Sequence, residues 1–376
     1  MRNPFYFREL PLDAAFCNRA KELDTLSRHA ENRANVLIHS PRRYGKTSLV
    51  KRVQERLYQQ GAIAVYVDFF GSTSVDQVAA RLAARVHAFC QTHETFKEKA
   101  TRYLSFWKPV IRPDPETGVM ITVEKSSGIH GMELLEQTLG SLGRFIADEE
   151  VLVHFVFDEF QEIVALPEGR EIEGVLRSHI QTHANASYFF VGSKRRIIKN
   201  IFQDESRPFY QSTIEFPLVP LPEDEATAFI IERFRSAGRH CSEQLARTIV
   251  TRVAGYPYYI QKIAYTIFEL GEADCVSDED FHEGVRQAIQ EEKSLYESML
   301  AQVNVTQIRV LAALAAEPTA QPTAAAYLRR HNAGAASTVS WALAKLIDLD
   351  YIERTDRVYS LVDPLFAVWV RETQSF

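Results

Sequence analysis

The stretch that most constrains this chain is Ser40-Pro41-Arg42-Arg43-Tyr44-Gly45-Lys46-Thr47. A β-rich run, Asn35–Ser40, precedes it, and Leu49, Val53 and Leu57 share a helical face after it. This is the pattern G-x-x-x-x-G-K-[ST] with serine in place of the first glycine. Such a loop works only at a strand-to-helix corner. There the main-chain N–H groups converge on an anion, and the helix N-terminus adds the positive end of its dipole. Gly45 lets the backbone approach a phosphate closely. Lys46 carries a point charge to the β- and γ-phosphates of a nucleotide, and Thr47 offers a hydroxyl to Mg²⁺. Ser40, Pro41, Arg42, Arg43, Tyr44 and Ser48 complete the candidate binding loop. If its first position required φ > 0, Ser40 would cost about 1–3 kcal/mol; a strand end that tolerates serine is the simpler expectation.

A second strand supplies what such a loop needs opposite it. Val151–Phe157 is apolar and runs into Asp158-Glu159. An acid at this strand end holds Mg²⁺ together with Thr47, and the next acid orients and polarises an attacking water as a general base. The following strand, Tyr188–Val191, ends at Gly192-Ser193, where Ser193 is placed to touch the γ-phosphate or that water. Lys194, Arg195, Arg196, Lys199 and Arg207 come next. Any of them could neutralise charge developing on the γ-phosphate. Arg207, just before the fifth strand, suits a finger acting in trans.

These motifs sit in an α/β pattern. The runs Asn35–Ser40, Ala62–Phe69, Val151–Asp158, Ser187–Gly192 and Thr213–Val219 read as strands, several of them apolar on consecutive residues, as in a parallel sheet covered on both faces. Helical faces lie between them, such as Leu135, Leu139, Leu142 and Ile146. Trp107–Lys125, with the turn Pro113–Gly118 and a short strand Val119–Val123, reads as an inserted surface hairpin. From Pro222 to about Leu300 the periodicity is helical throughout: Ala226, Phe229, Ile230 and Phe234; then Leu245, Ile249 and Val253; then Ile260, Ile263, Ala264 and Ile267. Ser277 with Asp280 reads as the cap of a fourth helix. Beyond it, three helices and the hairpin Tyr351-Ile352/Val358-Tyr359 lay out a winged helix-turn-helix. The expected division is 1–221, 222–300 and 301–376.

Bulk properties bound the function. At 376 residues the chain is long enough for two or three domains. A net charge of −6 argues against a protein that coats nucleic acid over its whole surface. The four cysteines, Cys17, Cys90, Cys241 and Cys275, have no C-x-x-C spacing, which argues against a zinc or redox motif. No apolar run is long enough to span a membrane, and no signal peptide is evident at the start, so a cytoplasmic protein is expected.

With these residues in hand, the chain resembles the archaeal-type ATPase family of the AAA+/STAND group of P-loop proteins. The resemblance runs through Phe16-Cys17-Asn18-Arg19, Pro41–Leu49, Phe157–Phe160, Gly192-Ser193, Gly255-Tyr256-Pro257-Tyr258-Tyr259 and Tyr359–Phe366. It implies an AAA+-like parallel sheet of order 5-1-4-3-2, a helical lid and a winged helix. It implies ATP or ADP with Mg²⁺ as cofactors. It also implies that Asn18 and Arg19 border the adenine, and that Tyr256 and Pro257 belong to a lid motif over the nucleotide. Lys46, Thr47, Asp158 and Glu159 match the phosphate and magnesium residues directly. No second sensor arginine is matched, and the nuclease-like extension of some relatives is not seen.

For the winged helix, the third helix would present Ser337, Thr338, Ser340, Trp341 and Lys345, and the wing tip carries Arg354 and Arg357. DNA is one candidate partner. Residues 301–376 hold seven basic and seven acidic side chains, so the module has zero formal charge, which favours a structural or regulatory use. The readings are therefore an ATPase acting as a nucleotide-driven switch, a nucleotide-gated DNA-binding or scaffold protein with negligible hydrolysis, and a switch that forms homo-oligomers or binds a protein partner on ATP.

Overall fold

The five apolar runs form one parallel sheet. A computed structural model describes the chain except residues 1–2, 8–9, 12–13, 93–102, 104, 106, 115–117, 126–127, 272–273 and 374–376. The sheet strands are β1 (Val36–His39), β2 (Ile63–Asp68), β5 (Val153–Asp158), β6 (Ala186–Gly192) and β7 (Ile214–Pro217). Between β2 and β5 the chain inserts β3 (Trp107–Asp114) and β4 (Gly118–Lys125) as a separate antiparallel pair. The sheet order is β2-β5-β6-β1-β7. Counting only these five strands along the chain, that is the expected 5-1-4-3-2. Every pairing within it is parallel, so all the strand C-termini share one edge.

The burial of each strand follows from its place. Central β5 and β6 are buried at every residue, as their continuous apolar runs require. Edge strand β7 exposes Ile214 and Glu215. Helices α1 (Ala20–Glu31), α2 (Lys46–Gln59) and α3 (Val75–Thr92), with Gly131–Ala147 and Gly169–Ile180, flank the sheet strands along the chain. Leu49, Val53 and Leu57 on α2 are fully buried, and so are Leu135, Leu139, Leu142 and Ile146 on Gly131–Ala147. An aromatic cluster fills the core beside β5 and β6. Phe190 lies 4.8 Å from Phe160, 5.1 Å from Phe202 and 5.2 Å from Phe209, centroid to centroid. Each such ring contributes about 1.5–3 kcal/mol through burial.

The inserted hairpin departs from expectation in two ways. Its strands are longer, with Pro113 pairing Val119 and Asp114 pairing Gly118; residues 115–117 of the expected turn lie outside the described residues. It is also anchored: Trp107 is buried and its indole N–H donates to Thr138 Oγ1 at 3.0 Å. A buried indole needs such a partner, and only the fold reveals which residue supplies it.

The chain divides into two compact units, Arg19–Val219 and Met1–Asn18 with Pro220–Phe376. In the second, the helices Glu223–Ser236, Glu243–Arg252, Pro257–Leu270 and Asp278–Ala301 bury the stripes read from the sequence. Phe229 is only half-buried. The cap at Ser277 is a full capping box with Asp280. Near the N-terminus, Phe5 packs on Phe234 at 4.9 Å, and Asn3 donates to the Tyr265 carbonyl at 3.1 Å. The winged helix consists of helices Val305–Ala316, Ala325–Arg330 and Ala336–Asp348, the wing β8 (Ile352–Thr355) and β9 (Val358–Leu361), and a closing helix Pro364–Thr373. Among the described residues no helix is long and apolar enough to cross a membrane. Cys17 and Cys241 are buried and Cys275 is exposed; the side chain of Cys90 lies outside the described residues.

Candidate functional site

Parallel register brings the chemistry to one edge. His39, the last residue of β1, lies opposite Gly192 at the end of β6, and Asp68 of β2 lies opposite Asp158 of β5. The loop that follows β1 turns into α2 through two left-handed residues, Arg43 (φ 70°) and Gly45 (φ 79°). Ser40 is not among the positive-φ residues, so the serine in place of the usual first glycine carries no backbone strain.

Lys46 opens α2 and its side chain folds back over the loop. Its Nζ donates to the carbonyls of Ser40 (3.0 Å) and Pro41 (2.9 Å) and to Ser40 Oγ (3.3 Å). Burial lowers its pKa to about 8, although Glu159 and Asp158 pull the other way. Next to it, Thr47 Oγ1 donates to Asp158 Oδ2 at 2.8 Å. That hydrogen bond joins the phosphate loop to the acidic strand end, 111 residues apart in sequence.

Asp158 is almost fully buried, and both its oxygens are engaged. Oδ1 accepts the Glu159 N–H at 2.9 Å, and Oδ2 also accepts the Tyr66 hydroxyl at 2.6 Å. Burial, together with the Asp158 charge, pushes the Tyr66 phenol well above its ordinary pKa, so it stays a donor. Tyr66 carried no signal in the sequence. It is one residue of an ordinary alternating strand, and its reach to Asp158 depends on which strand lies beside β2.

Glu159 follows in a left-handed conformation (φ 50°), unusual for a non-glycine residue. Its Oε2 accepts from Ser193 Oγ at 3.0 Å and from the Gln161 side-chain amide. Gln161 was also missed by sequence reasoning. Gly192 makes room for it: a Cβ there would meet Gln161 Oε1 at 2.4 Å and Ile198 Cδ1 at 2.3 Å. Lys194 pairs with Glu162 at 3.0 Å. His39 meets Glu215 at 2.7 Å, and Lys199 meets the same carboxylate at 2.8 Å.

The remaining expected residues lie in other contacts. Arg207 holds Glu173 through two hydrogen bonds, one of them Nε to Oε2 at 3.1 Å, and touches Asn200 Oδ1 at 3.3 Å. Arg19 is buried, with its guanidinium on Glu22 (2.7 Å) and on the Val219 carbonyl (2.5 Å); Asn18 and Arg19 are both left-handed. Pro257 starts the helix Pro257–Leu270, where its missing N–H costs nothing. Tyr256 donates to the Val362 carbonyl, Tyr259 to Asp363, and Tyr258 to Glu292 at 2.9 Å. Tyr256 and Tyr259 thus bind the segment between the wing and the closing helix, and Tyr258 binds the helix Asp278–Ala301, all within one unit.

The donors gathered around Thr47 and Asp158 are oxygens, which suit a hard cation. Among the described residues no group of three or more His, Cys, Asp or Glu could hold a metal alone. A magnesium ion here would therefore complete its shell with phosphate oxygens and water, its usual mode.

Comparison with known proteins agrees with the fold. The Walker-type ATPase paby2304 of Pyrococcus abyssi is similar over 98% of this chain and 99% of its own, at 16% identity and TM-score 0.71. The Aeropyrum pernix ORC2 protein, solved as ADPNP-ADP complexes, is similar over 99% of this chain and 96% of its own, at 15% identity and TM-score 0.61. The Aeropyrum pernix ORC1 protein, solved in complex with DNA, is similar over 96% and 94%, at 14% identity and TM-score 0.52. No curated protein matches the chain in sequence. The family model described as "Probable winged helix domain" matches residues 294–372. The model described as "ATPase domain predominantly from Archaea" matches residues 16–263, most of the chain, and the protein belongs to that family of P-loop ATPases.

Proposed function

We propose that the chain binds ATP with Mg²⁺ and hydrolyses it to ADP and phosphate, and that the change in γ-phosphate contacts drives a conformational switch. The observation that carries this reading is the 2.8 Å hydrogen bond from Thr47 to Asp158, which puts a phosphate-gripping corner beside a carboxylate-tipped strand. The main-chain N–H groups from Arg42 to Ser48, with Lys46, would hold the phosphates. Thr47 and Asp158 would hold Mg²⁺, which neutralises phosphate charge when bound. Glu159 takes a proton from the attacking water, and Ser193 and Gln161 fix the carboxylate that does so. Asn18, Arg19, Tyr256 and Pro257 remain proposed neighbours of the nucleotide. We assign Arg207 to holding Glu173.

Lys46→Met tests the binding step. Nucleotide affinity, read by calorimetry, is expected to fall at least about tenfold through loss of a charge-assisted contact to phosphate. The nucleotide-free variant is expected to melt at or above the native midpoint. Folded Lys46 titrates near pH 8 and unfolded lysine at 10.5, so the buried ammonium costs stability at neutral pH. That cost is relieved as pH rises between those values. Undiminished affinity would remove Lys46 from the site.

A DNA-binding role takes second place. It is favoured by the likeness to a protein solved on DNA and by Arg354 and Arg357 in the wing. Against it stand the module's zero formal charge and the Arg354 guanidinium, which lies 5.2 Å over the Tyr359 ring. If DNA is bound, affinity falls steeply with salt and falls again in Arg354→Ala/Arg357→Ala. A salt-independent or absent shift on duplex DNA rules it out.

A further inference from the structure

We propose that Tyr66 is a positioning residue for the magnesium–nucleotide corner, holding the Asp158 carboxylate from the neighbouring strand in the orientation a divalent cation requires. This rests on the ATPase reading above and adds a residue to it.

The geometry begins with register. β2 and β5 run parallel with Tyr66 opposite Val156 and Asp68 opposite Asp158. Side chains two residues apart on a strand share a face. Tyr66 and Asp158 are therefore diagonal neighbours on one face, a separation that a long aromatic side chain can span. The phenol closes that gap at 2.6 Å. A phenylalanine or valine at this position would satisfy the same burial, so the hydroxyl is the informative part.

Asp158 Oδ2 receives two hydroxyls, from Thr47 on α2 and from Tyr66 on β2. They are not equivalent. The Thr47 hydroxyl is itself a candidate cation ligand, and an oxygen whose lone pair faces a cation directs its proton elsewhere. Tyr66 approaches from the sheet; its oxygen also lies within hydrogen-bonding reach of Thr47, and its own proton goes to Asp158. It keeps a side-chain donor on the carboxylate when the Thr47 proton turns elsewhere. Its ring is steadied from α2: Lys51 Nζ lies 4.9 Å from the ring centroid, and Lys51 is four residues beyond Thr47 on the same helix. Tyr66 thus ties together the three elements that build the corner. Partners that orient a metal-binding carboxylate typically change metal affinity by about 10–100-fold when removed.

The test is ADP binding by calorimetry in EDTA and across a MgCl₂ titration, for the native chain, Tyr66→Phe and Thr47→Ala. Tyr66→Phe keeps the ring and removes only the donor. Its affinity in EDTA is expected to match native within about twofold. The Mg²⁺ concentration that half-restores tight binding is expected to rise about 10–100-fold. A lowered melting midpoint with an unchanged Mg²⁺ requirement would mean a merely structural hydroxyl and overturns the proposal. If Thr47→Ala raises the requirement and Tyr66→Phe does not, the role of Tyr66 fails while the site reading stands. If native ADP binding is indifferent to Mg²⁺, the site reading itself fails, and the proposal with it.

Discussion

Protein carrying Glu159→Gln is expected to bind ATP with Mg²⁺ as the native chain does and to release phosphate about 10²–10⁴-fold more slowly. The substitution keeps shape and acceptor oxygen. Ser193 Oγ and the Gln161 amide can still donate to the side chain at 159, so the local network survives. What disappears is the basic oxygen proposed to take a proton from water. The residue's backbone also argues for a working role. A glutamate at φ 50° is held against its preference, which happens where surrounding structure over-determines the geometry. Here the constraint is visible: the Glu159 N–H is tied to Asp158 Oδ1 at 2.9 Å, and the Phe160 N–H to the Val191 carbonyl at 3.0 Å. Single-turnover phosphate release separates the outcomes, and native-like turnover in the variant would remove Glu159 as the base.

The second large effect is on stability. Arg207→Ala is expected to destabilise the unit Arg19–Val219 by about 3–5 kcal/mol, because it leaves a buried carboxylate without its counter-charge. Glu173 is fully buried and Arg207 nearly so, at 0% and 12% exposure. Burial raises the Glu173 pKa, and the Arg207 hydrogen bonds and charge pull it back down. A change of this size lowers the melting midpoint by on the order of 10 °C for a unit of this length. Glu173→Leu/Arg207→Leu is expected to recover most of the loss, since a buried pair replaced by apolar side chains is often near neutral. A finger acting in trans behaves differently: its removal stops turnover and leaves the melting curve unchanged. Thermal melts of the single and double variants, beside turnover, decide between the two.

The sequence by itself determined the elements and singled out the candidates for the chemistry. Apolar runs marked all five sheet strands within a few residues: β1, β5 and β6 are buried throughout and apolar on mostly consecutive residues, whereas β2 alternates. The stripes of the helical region and the Ser277–Asp280 cap were legible for the same local reason: helix faces and caps are set by residues three or four apart. Gly45-Lys46-Thr47 and Asp158-Glu159 stood out as candidates because their motifs are written contiguously.

Tertiary structure decided everything that depends on which element lies beside which. Tyr66 became a partner of Asp158 only because β2 pairs with β5 in that register. Gln161 reached Glu159 only because Gly192 has no side chain in the way. Arg207 read as a cation suited to a finger near a strand end; which carboxylate it meets, buried Glu173, is set by the fold. Tyr256 and Tyr259 found Val362 and Asp363, more than a hundred residues along the chain. A residue's type sets what it can donate, accept or carry; the neighbour that satisfies it is chosen by chain reversals that no local spacing encodes.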